Sequence, residues 1–439
     1  MRLPLYLQVI IGVVVGALCG VAFKQGPILF GVTNDDLGAL GLLVIRLLKA
    51  IAVPLVLFAI LDAFVRTRIS ARSGVKLLII CLINVSVAFA IGLTLMNTLK
   101  PGKGSADRLA ALTKPSKEAE AAIAAGAKAS LTPLKAIDSY VPESLVDPFQ
   151  KNAIIPVVLI ALILGAAIRR VKDSGEGPDL SAIEGFIHGG FQVFVQVLAW
   201  IILIVPFAVF AVVAQVVGKA GLGVFLALLP FLGVILLGMA IHSLLYYPAV
   251  AWFVGGKSPK VFLGKGADAI FTGLSTNSSL ATVPVTLKCL TEKMGVSQGS
   301  SRLAACIGTN LNNDGITMYE CMTAVFLAQA LSADLGVAQQ LGIVAASIMA
   351  GVGMAGVPEA GLIVLPLVLS AAGMPSHVVE GAIPLIMPVD WLIGRARTGV
   401  NVMSDMVVAV MLDASEDRSE PVLVDLPPSI HEGEIEEIS

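Results

Sequence analysis

Long apolar runs bounded by polar or basic residues dominate the first 254 positions. They predict membrane-crossing helices at about 5–24, 38–65, 75–99, 152–168, 190–217 and 223–254, because a bilayer's hydrocarbon takes ~20 apolar residues to cross. From Pro101 to about Leu134 the pattern lapses into a low-complexity mixture of Lys, Ser, Ala and Glu, which predicts a surface loop or short peripheral helix. Beyond residue 258 the apolar segments shorten and are interrupted. One interruption is Ser275-Thr276-Asn277-Ser278-Ser279, followed by Pro284; another runs from Gly351 to Pro358. Each precedes a long span with its own polar break, at Asn310 to Gly315 and from Gly394 to Asp405. The unit of a broken hairpin followed by a polar-broken helix thus occurs twice. Non-helical backbone at membrane depth must be buried in protein or line a cavity. Paired interrupted segments in two repeats point to a transporter's binding site.

Composition agrees. The chain has 439 residues, 56% hydrophobic and 14% charged, where a soluble domain carries about 25% charged residues. The mean hydropathy is +0.90. The net charge of -2 gives no basis for a nucleic-acid partner. Cys19, Cys81, Cys289, Cys306 and Cys321 form no CxxC pair and read as small buried hydrophobes. The first apolar stretch lacks an AxA-like cleavage site and reads as a first transmembrane helix. Basic clusters at Arg66, Arg68, Arg72 and Lys76, at Arg169, Arg170 and Lys172, and at Lys257, Lys260 and Lys265 alternate with neutral or acidic loops. The positive-inside rule then puts both termini in the cytoplasm of a multi-pass plasma (inner) membrane protein, with the 100–150 loop external. From about Ser415 the acidic, Pro-containing chain reads as a disordered tail.

The chemistry concentrates in the broken segments. On a helix, Asp390, Gly394, Arg397, Asn401 and Asp405 share one face, with Arg395 pointing away. An Arg at the bilayer centre costs roughly 2.5–3.5 kcal/mol on insertion scales, so it faces a cavity and pairs with something. Two readings fit: an internal Arg397–Asp390 pair that only joins helices, or an Arg397 fork that binds an anion. In the second, the Asn401 amide one turn on holds a second carboxylate. Asn310, Asn312, Asn313 and Asp314 supply amide and carboxylate oxygens that suit a hard cation, with Asp405 joining from the other span; the alternative is polar glue between helices. Glu320 reads either as a proton carrier or as a structural or snorkelling carboxyl. The literal GxGxxG at Gly351 to Gly356 lacks a strand–helix context and carries no dinucleotide reading. His188, His242, His377 and His431 are scattered and form no metal cluster by spacing.

These residues carry a resemblance to the glutamate transporter family, the dicarboxylate/amino acid:cation symporters. It rests on Ser278-Ser279-x-x-Thr282-x-Pro284, Asn312-x-Asp314-Gly315, Ala355-Gly356-Val357-Pro358-x-Ala360-Gly361 and Arg397-Thr398-x-x-Asn401-x-x-x-Asp405. The resemblance implies an all-α polytopic fold of eight transmembrane helices and two re-entrant hairpins, assembled as a homotrimer in membrane lipid. It implies a scaffold (1–72 and 100–218, transmembrane helices 1, 2, 4 and 5), an elevator-type transport domain (73–99 and 219–416) and a tail at 417–439. It implies symport of a small anionic substrate with sodium, protons or both. By carry-over, Ser278, Ser279, Val357, Gly361, Gly394, Arg397, Thr398 and Asn401 contact substrate. Asn84, Asn312, Asp314, Asn401 and Asp405 hold sodium, and Glu320 is the candidate proton carrier.

The departures are specific. The family's amine-holding aspartate is Gly394 here, the threonine after Asn-x-Asp-Gly is Ile316, and the third hairpin serine is Leu280. Cys81, Asn84 and Val85 stand where the family's third helix has tyrosine, threonine and serine for one sodium site. Loss of the amine partner with Arg397 and Asn401 kept favours a C4-dicarboxylate over an acidic amino acid. A neutral amino acid transporter is disfavoured because such members replace the arginine. An anion channel is the rival of another class; an intramembrane hydrolase lacks any nucleophile–base spacing.

Overall fold

The computed structural model describes residues 5–29, 31–66, 71–103, 141–150, 154–174, 178–330, 335–352, 360–371, 374 and 376–415. It is mostly helical. Helices α1 (Leu5–Phe23), α2 (Asn34–Arg66), α4 (Ile154–Asp173) and α5 (Ser181–Ala220) pack on one another, α5 lying along both α1 and α2. The α1–α5 contact follows from Gly12, Gly16 and Gly20, one turn apart on one stripe. A Cβ on Gly12 would come within 2.6 Å of the Pro206 carbonyl oxygen, and one on Gly20 within 2.7 Å of that of Ala214. Small residues at this spacing let helix backbones approach closely.

One departure from an all-α reading is a small antiparallel ribbon, Pro27–Leu29 with Val32–Thr33, between α1 and α2. It delivers the chain into a capping box. The Thr33 N–H and hydroxyl donate to Asp36 Oδ2 at 2.9 and 2.7 Å, and the Asp36 N–H returns to Thr33 Oγ1 at 3.3 Å. Those donors, the backbone one first, hold the Asp36 carboxyl below the usual carboxylate range.

The remaining helices form a second group. Helix α3 (Ala71–Leu99) packs on α10 (Asp314–Ala330) and on α6 (Gly223–Phe253). The hairpin arms α7 (Pro259–Thr276) and α8 (Ser279–Lys288), the segment α9 (298–311), and α11 (Val337–Val352) with α12 (Ala360–Ala371) surround α10 and α13 (Ser376–Ser415). Every residue of α10 is buried. Within α6 the residues Ile241–Tyr246 form a π-turn just before Pro248, a widening common at functional sites.

The expected breaks at Asn277 and at Asn312-Asn313 are present. Asn277 ends α7 in the left-handed region (φ 55), which Asn tolerates. Ser278 caps α8, its Oγ accepting the Ala281 N–H at 3.1 Å. The break expected from Gly394 to Asp405 is absent: α13 runs through it without interruption, and Thr398, Asn401 and Ser404 find side-chain partners on neighbouring elements. Residues 353–359 of the expected second-hairpin interruption, most of the loop expected at 101–134 and the tail expected at 417–439 lie outside the described residues.

Among the described residues, Ser73–Leu99, Ser181–Lys219 and Gly223–Phe253 are long and apolar enough to cross a membrane. Their outward faces remain greasy, with Trp200, Leu203, Leu245 and Phe253 more than half exposed. Apolar exposure of that kind marks a surface that contacts lipid or another chain.

Candidate functional site

Two polar clusters lie inside the second group, both hung on α13. The first centres on Arg397, of which 2% is exposed. Its guanidinium carbon stands 4.7 Å from the centroid of the Tyr319 ring on α10. Asp390, two turns earlier on α13, is the nearest carboxylate at 3.7 Å from Nη1. That is beyond hydrogen-bond length, and neither Asp390 oxygen nor Arg397 Nη1 has a hydrogen-bond partner. Gly361, in the first turn of α12, lies against the same nitrogen so closely that a Cβ there would overlap it. Gly394 lies beside the other: a Cβ on it would sit 3.4 Å from Nη2. The fork is therefore oriented by an aromatic face and by two glycines that leave it uncovered. Asp390 offsets the charge at ion-pair distance within α13 itself, but the hydrogen-bonding fork of a buried guanidinium is satisfied by a planar oxyanion. This arrangement can bind a carboxylate.

The first hairpin closes one side. Thr398 Oγ1 is 3.1 Å from Asn277 Oδ1 and 3.0 Å from the Gly394 carbonyl oxygen. The same Gly394 Cβ position is 3.3 Å from Asn277 Oδ1. Ser279 Oγ accepts from Thr309 Oγ1 at 3.3 Å, so the hairpin tip is tied to α9.

The second cluster surrounds the break between α9 and α10. Asp314 Oδ2 accepts from Tyr247 Oη at 2.8 Å and from Ser404 Oγ at 2.7 Å, with His242 Nε2 at 3.4 Å. Asn312 Nδ2 donates to the same Ser404 Oγ at 2.6 Å. Asn84 on α3 accepts from Tyr246 Oη at 2.9 Å. The π-turn of α6 brings His242, Tyr246 and Tyr247 together, with rings 4.5 to 5.8 Å apart. Three oxygen acceptors of this cluster, Asn312 Oδ1, Asp314 Oδ1 and Asp405 Oδ1, are buried without a hydrogen-bond donor. Carboxylate and amide oxygens with no donor are what a hard cation takes.

Asn401 stands between the clusters. Its Oδ1 accepts the Gly315 N–H at 2.8 Å and its Nδ2 donates to Asn313 Oδ1 at 3.2 Å; Asn313 Nδ2 in turn donates to the Gly351 carbonyl at 2.8 Å. Half of the amide's hydrogen-bonding capacity is thus internal. Glu320 is fully buried with no donor on either oxygen.

The structure therefore gathers Gly361, Gly394, Arg397, Thr398 and Asn401 beside the hairpin tip, and Asn312, Asp314 and Asp405 in the second cluster. Asn84 joins the latter through Tyr246. Val357 falls outside the described residues. Sequence reasoning missed His242, Tyr247 and Ser404 as partners of Asp314, and Asn277 and Tyr319 as partners on the Arg397 side. A His and two Tyr within one turn and a half of an apolar span carried the signal, but four scattered histidines masked it.

Comparison with known proteins agrees with this geometry. The chain is 29% identical over 449 residues to the neutral amino acid transporter B(0) of Bos taurus, covering 95% of this chain and 81% of that protein. It is 32% identical over 259 residues to the excitatory amino acid transporter 1 of Mus musculus, covering 58% of this chain and 46% of that protein. With the excitatory amino acid transporter 3 of Homo sapiens it shares 26% over 451 residues, covering 91% and 83%. Residues 5–415 match the model of the sodium:dicarboxylate symporter family. With helix breaks at Asn277 and Asn312-Asn313, a buried arginine within the C-terminal motifs and a family match over nearly the whole chain, the protein belongs to the sodium:dicarboxylate symporter family, the family of the glutamate transporters, and is a transporter and not an enzyme.

Proposed function

We propose that the protein is a cation-coupled symporter of a small dicarboxylate, with a C4-dicarboxylate as the preferred substrate. The observation that carries it is Arg397: a buried guanidinium whose Nη1 has no hydrogen-bond partner and pairs with Asp390 only loosely, at 3.7 Å. One substrate carboxylate takes the Arg397 fork, and the other reaches the remaining Asn401 amide capacity and the hairpin around Ser278 and Ser279. Thr398 orients the hairpin tip, and Gly361 closes the second side; the family resemblance adds Val357 as a further substrate contact. Nothing at Gly394 offers a negative charge to an ammonium group. Sodium, named in the family's description, is the co-substrate that the orphaned oxygens of Asn312, Asp314 and Asp405 suit, with Asn84 and Asn401 as nearby ligands. Glu320 is the proton carrier if protons contribute.

The partition into a scaffold and an elevator-type transport domain is supported by the packing of α1, α2, α4 and α5 on one another and of α3 on α6 and α10. We propose the two re-entrant hairpins, eight transmembrane helices, trimeric assembly, plasma-membrane location and cytoplasmic termini on the same reading. Amino acid substrates are the second reading, favoured by the relatives' names; an anion channel would lack trans-stimulated exchange.

A thermal-shift screen of the purified protein against succinate, malate, aspartate and alanine, with and without sodium, tests this reading, since a ligand that binds the folded state raises its stability with occupancy. Succinate and malate are expected to stabilise, more so with sodium, and R397A is expected to abolish the response. Stronger stabilisation by aspartate than by succinate overturns the dicarboxylate assignment. Uptake that survives replacement of sodium by choline but not collapse of a pH gradient overturns sodium coupling.

A further inference from the structure

Asn277 is absent from every role assigned so far, yet it faces the gap beside the Arg397 fork. It is 6% exposed. Its side chain is within 3.3 to 3.5 Å of where a Gly394 Cβ would be, and that point is 3.4 Å from Arg397 Nη2. So the space a side chain at 394 would enter is bounded by a neutral amide on one side and a guanidinium on the other. The amide is fixed rather than adaptable. Its backbone sits in the left-handed region as the residue that caps the C-terminus of α7 (φ 55), its N–H donates to the Gly273 carbonyl at 3.0 Å, and Thr398 Oγ1 holds its side chain at 3.1 Å.

A substrate whose first carboxylate occupies the fork presents its next carbon to this gap. An ammonium there lies beside a positive guanidinium, and Asn277 offers it an amide dipole but no compensating negative charge, while Asp390 already faces Arg397 Nη1 at 3.7 Å. A methylene or hydroxyl carries no charge and meets no such repulsion. We infer that Asn277 is a specificity-determining residue: a positioned neutral wall, opposite Gly394, that selects substrates without an ammonium group. The inference rests on the Arg397 reading above.

Changing Asn277 alone to Asp is nearly isosteric and tolerates the left-handed backbone. It gives the gap one negative charge. In the full-length protein, thermal-shift titrations of succinate and aspartate with N277D are expected to raise the aspartate-to-succinate affinity ratio at least tenfold over the unchanged chain. A folded N277D whose ratio stays within twofold overturns the inference. The second arm does not depend on N277D folding. G394D places a carboxylate in the same gap from the opposite side, beside the Asn277 amide, and is expected to raise the ratio at least tenfold as well. A folded G394D that leaves the ratio within twofold shows that the space between Gly394 and Asn277 does not face the substrate and overturns the inference. R397A separates the two claims: retained succinate binding there sinks the Arg397 reading itself, while its loss together with an unmoved N277D ratio sinks only the role of Asn277.

Discussion

Asn401 accepts the Gly315 N–H at 2.8 Å, and so closes the N-terminal end of α10 where the chain restarts after its break. A helix start leaves N–H groups without intrahelical partners, and here a neighbouring helix supplies the acceptor. The residue expected to hold substrate and cation is therefore also part of the frame that aligns Asp314.

Asn401→Ala removes that acceptor and leaves a buried N–H unsatisfied. Loss of a buried partner costs about 1–3 kcal/mol, and the purified variant is expected to melt several degrees lower in the absence of any ligand. Asn401→Asp keeps an acceptor for Gly315 and loses the donor to Asn313. An Asn401→Ala protein that melts like the unchanged chain would show that water or backbone adjustment replaces the bond.

Ser404 joins Asn312 to Asp314 through one oxygen, at 2.6 and 2.7 Å. It helps to fix Asp314 Oδ2 and leaves Oδ1 buried without a donor. Outer partners of metal ligands typically contribute 10–100-fold in affinity. Ser404→Ala is accordingly expected to weaken the sodium dependence of substrate stabilisation by about tenfold, with the substrate affinity at saturating sodium nearly unchanged. Tyr247→Phe, which removes the other hydroxyl donor, acts in the same direction. A sodium titration of either variant that overlays the unchanged chain would exclude Asp314 from the cation pathway.

Glu320 and Arg397 are both buried, with the carboxyl one residue after the Tyr319 ring that faces the guanidinium. Glu320→Gln keeps shape and removes the titration. In proteoliposomes the response of uptake to an imposed pH gradient is expected to vanish, while exchange of internal for external substrate persists. An unchanged pH response would place any proton elsewhere and leave Glu320 a structural carboxyl.

How far these relationships were legible in the sequence depended on what fixes them. The break before Asp314 was readable because amides crowd at Asn310, Asn312 and Asn313 beside Gly315, and local competition for backbone hydrogen bonds favours unwinding there. The uninterrupted course of α13 through Gly394 to Asp405 was not readable, because its polar side chains are satisfied by Asn277, Asn313 and Asn312, residues far away in the chain. His242 was hidden for the same reason. A lone histidine in an apolar run has many fates, and only the fold brings Asp314 to within 3.4 Å of it. The close approach of Gly361 to Arg397 likewise depends on two helices whose order in the chain says nothing of their spacing.

That last contact gives the most direct test of the candidate anion site. A Cβ on Gly361 would overlap the Arg397 guanidinium and stand 2.9 Å from Tyr319 Cε1. Both neighbours are themselves buried, so neither can swing into solvent. The guanidinium must tilt off the Tyr319 ring or α12 must retreat, and in either case the fork loses its aim. Misplacement of an oriented group by about an ångström is enough to cost about 100-fold where geometry decides. Gly361→Ala is therefore expected to reduce succinate affinity at least tenfold, with the protein still folded and its sodium response in the absence of substrate preserved. Gly351→Ala serves as the comparison. It also clashes, but with the Thr317 methyl on the cation side, and so is expected to move stability or sodium dependence before succinate affinity. If Gly361→Ala binds succinate as tightly as the unchanged chain, the substrate does not lie on the face of Arg397 that Gly361 leaves open.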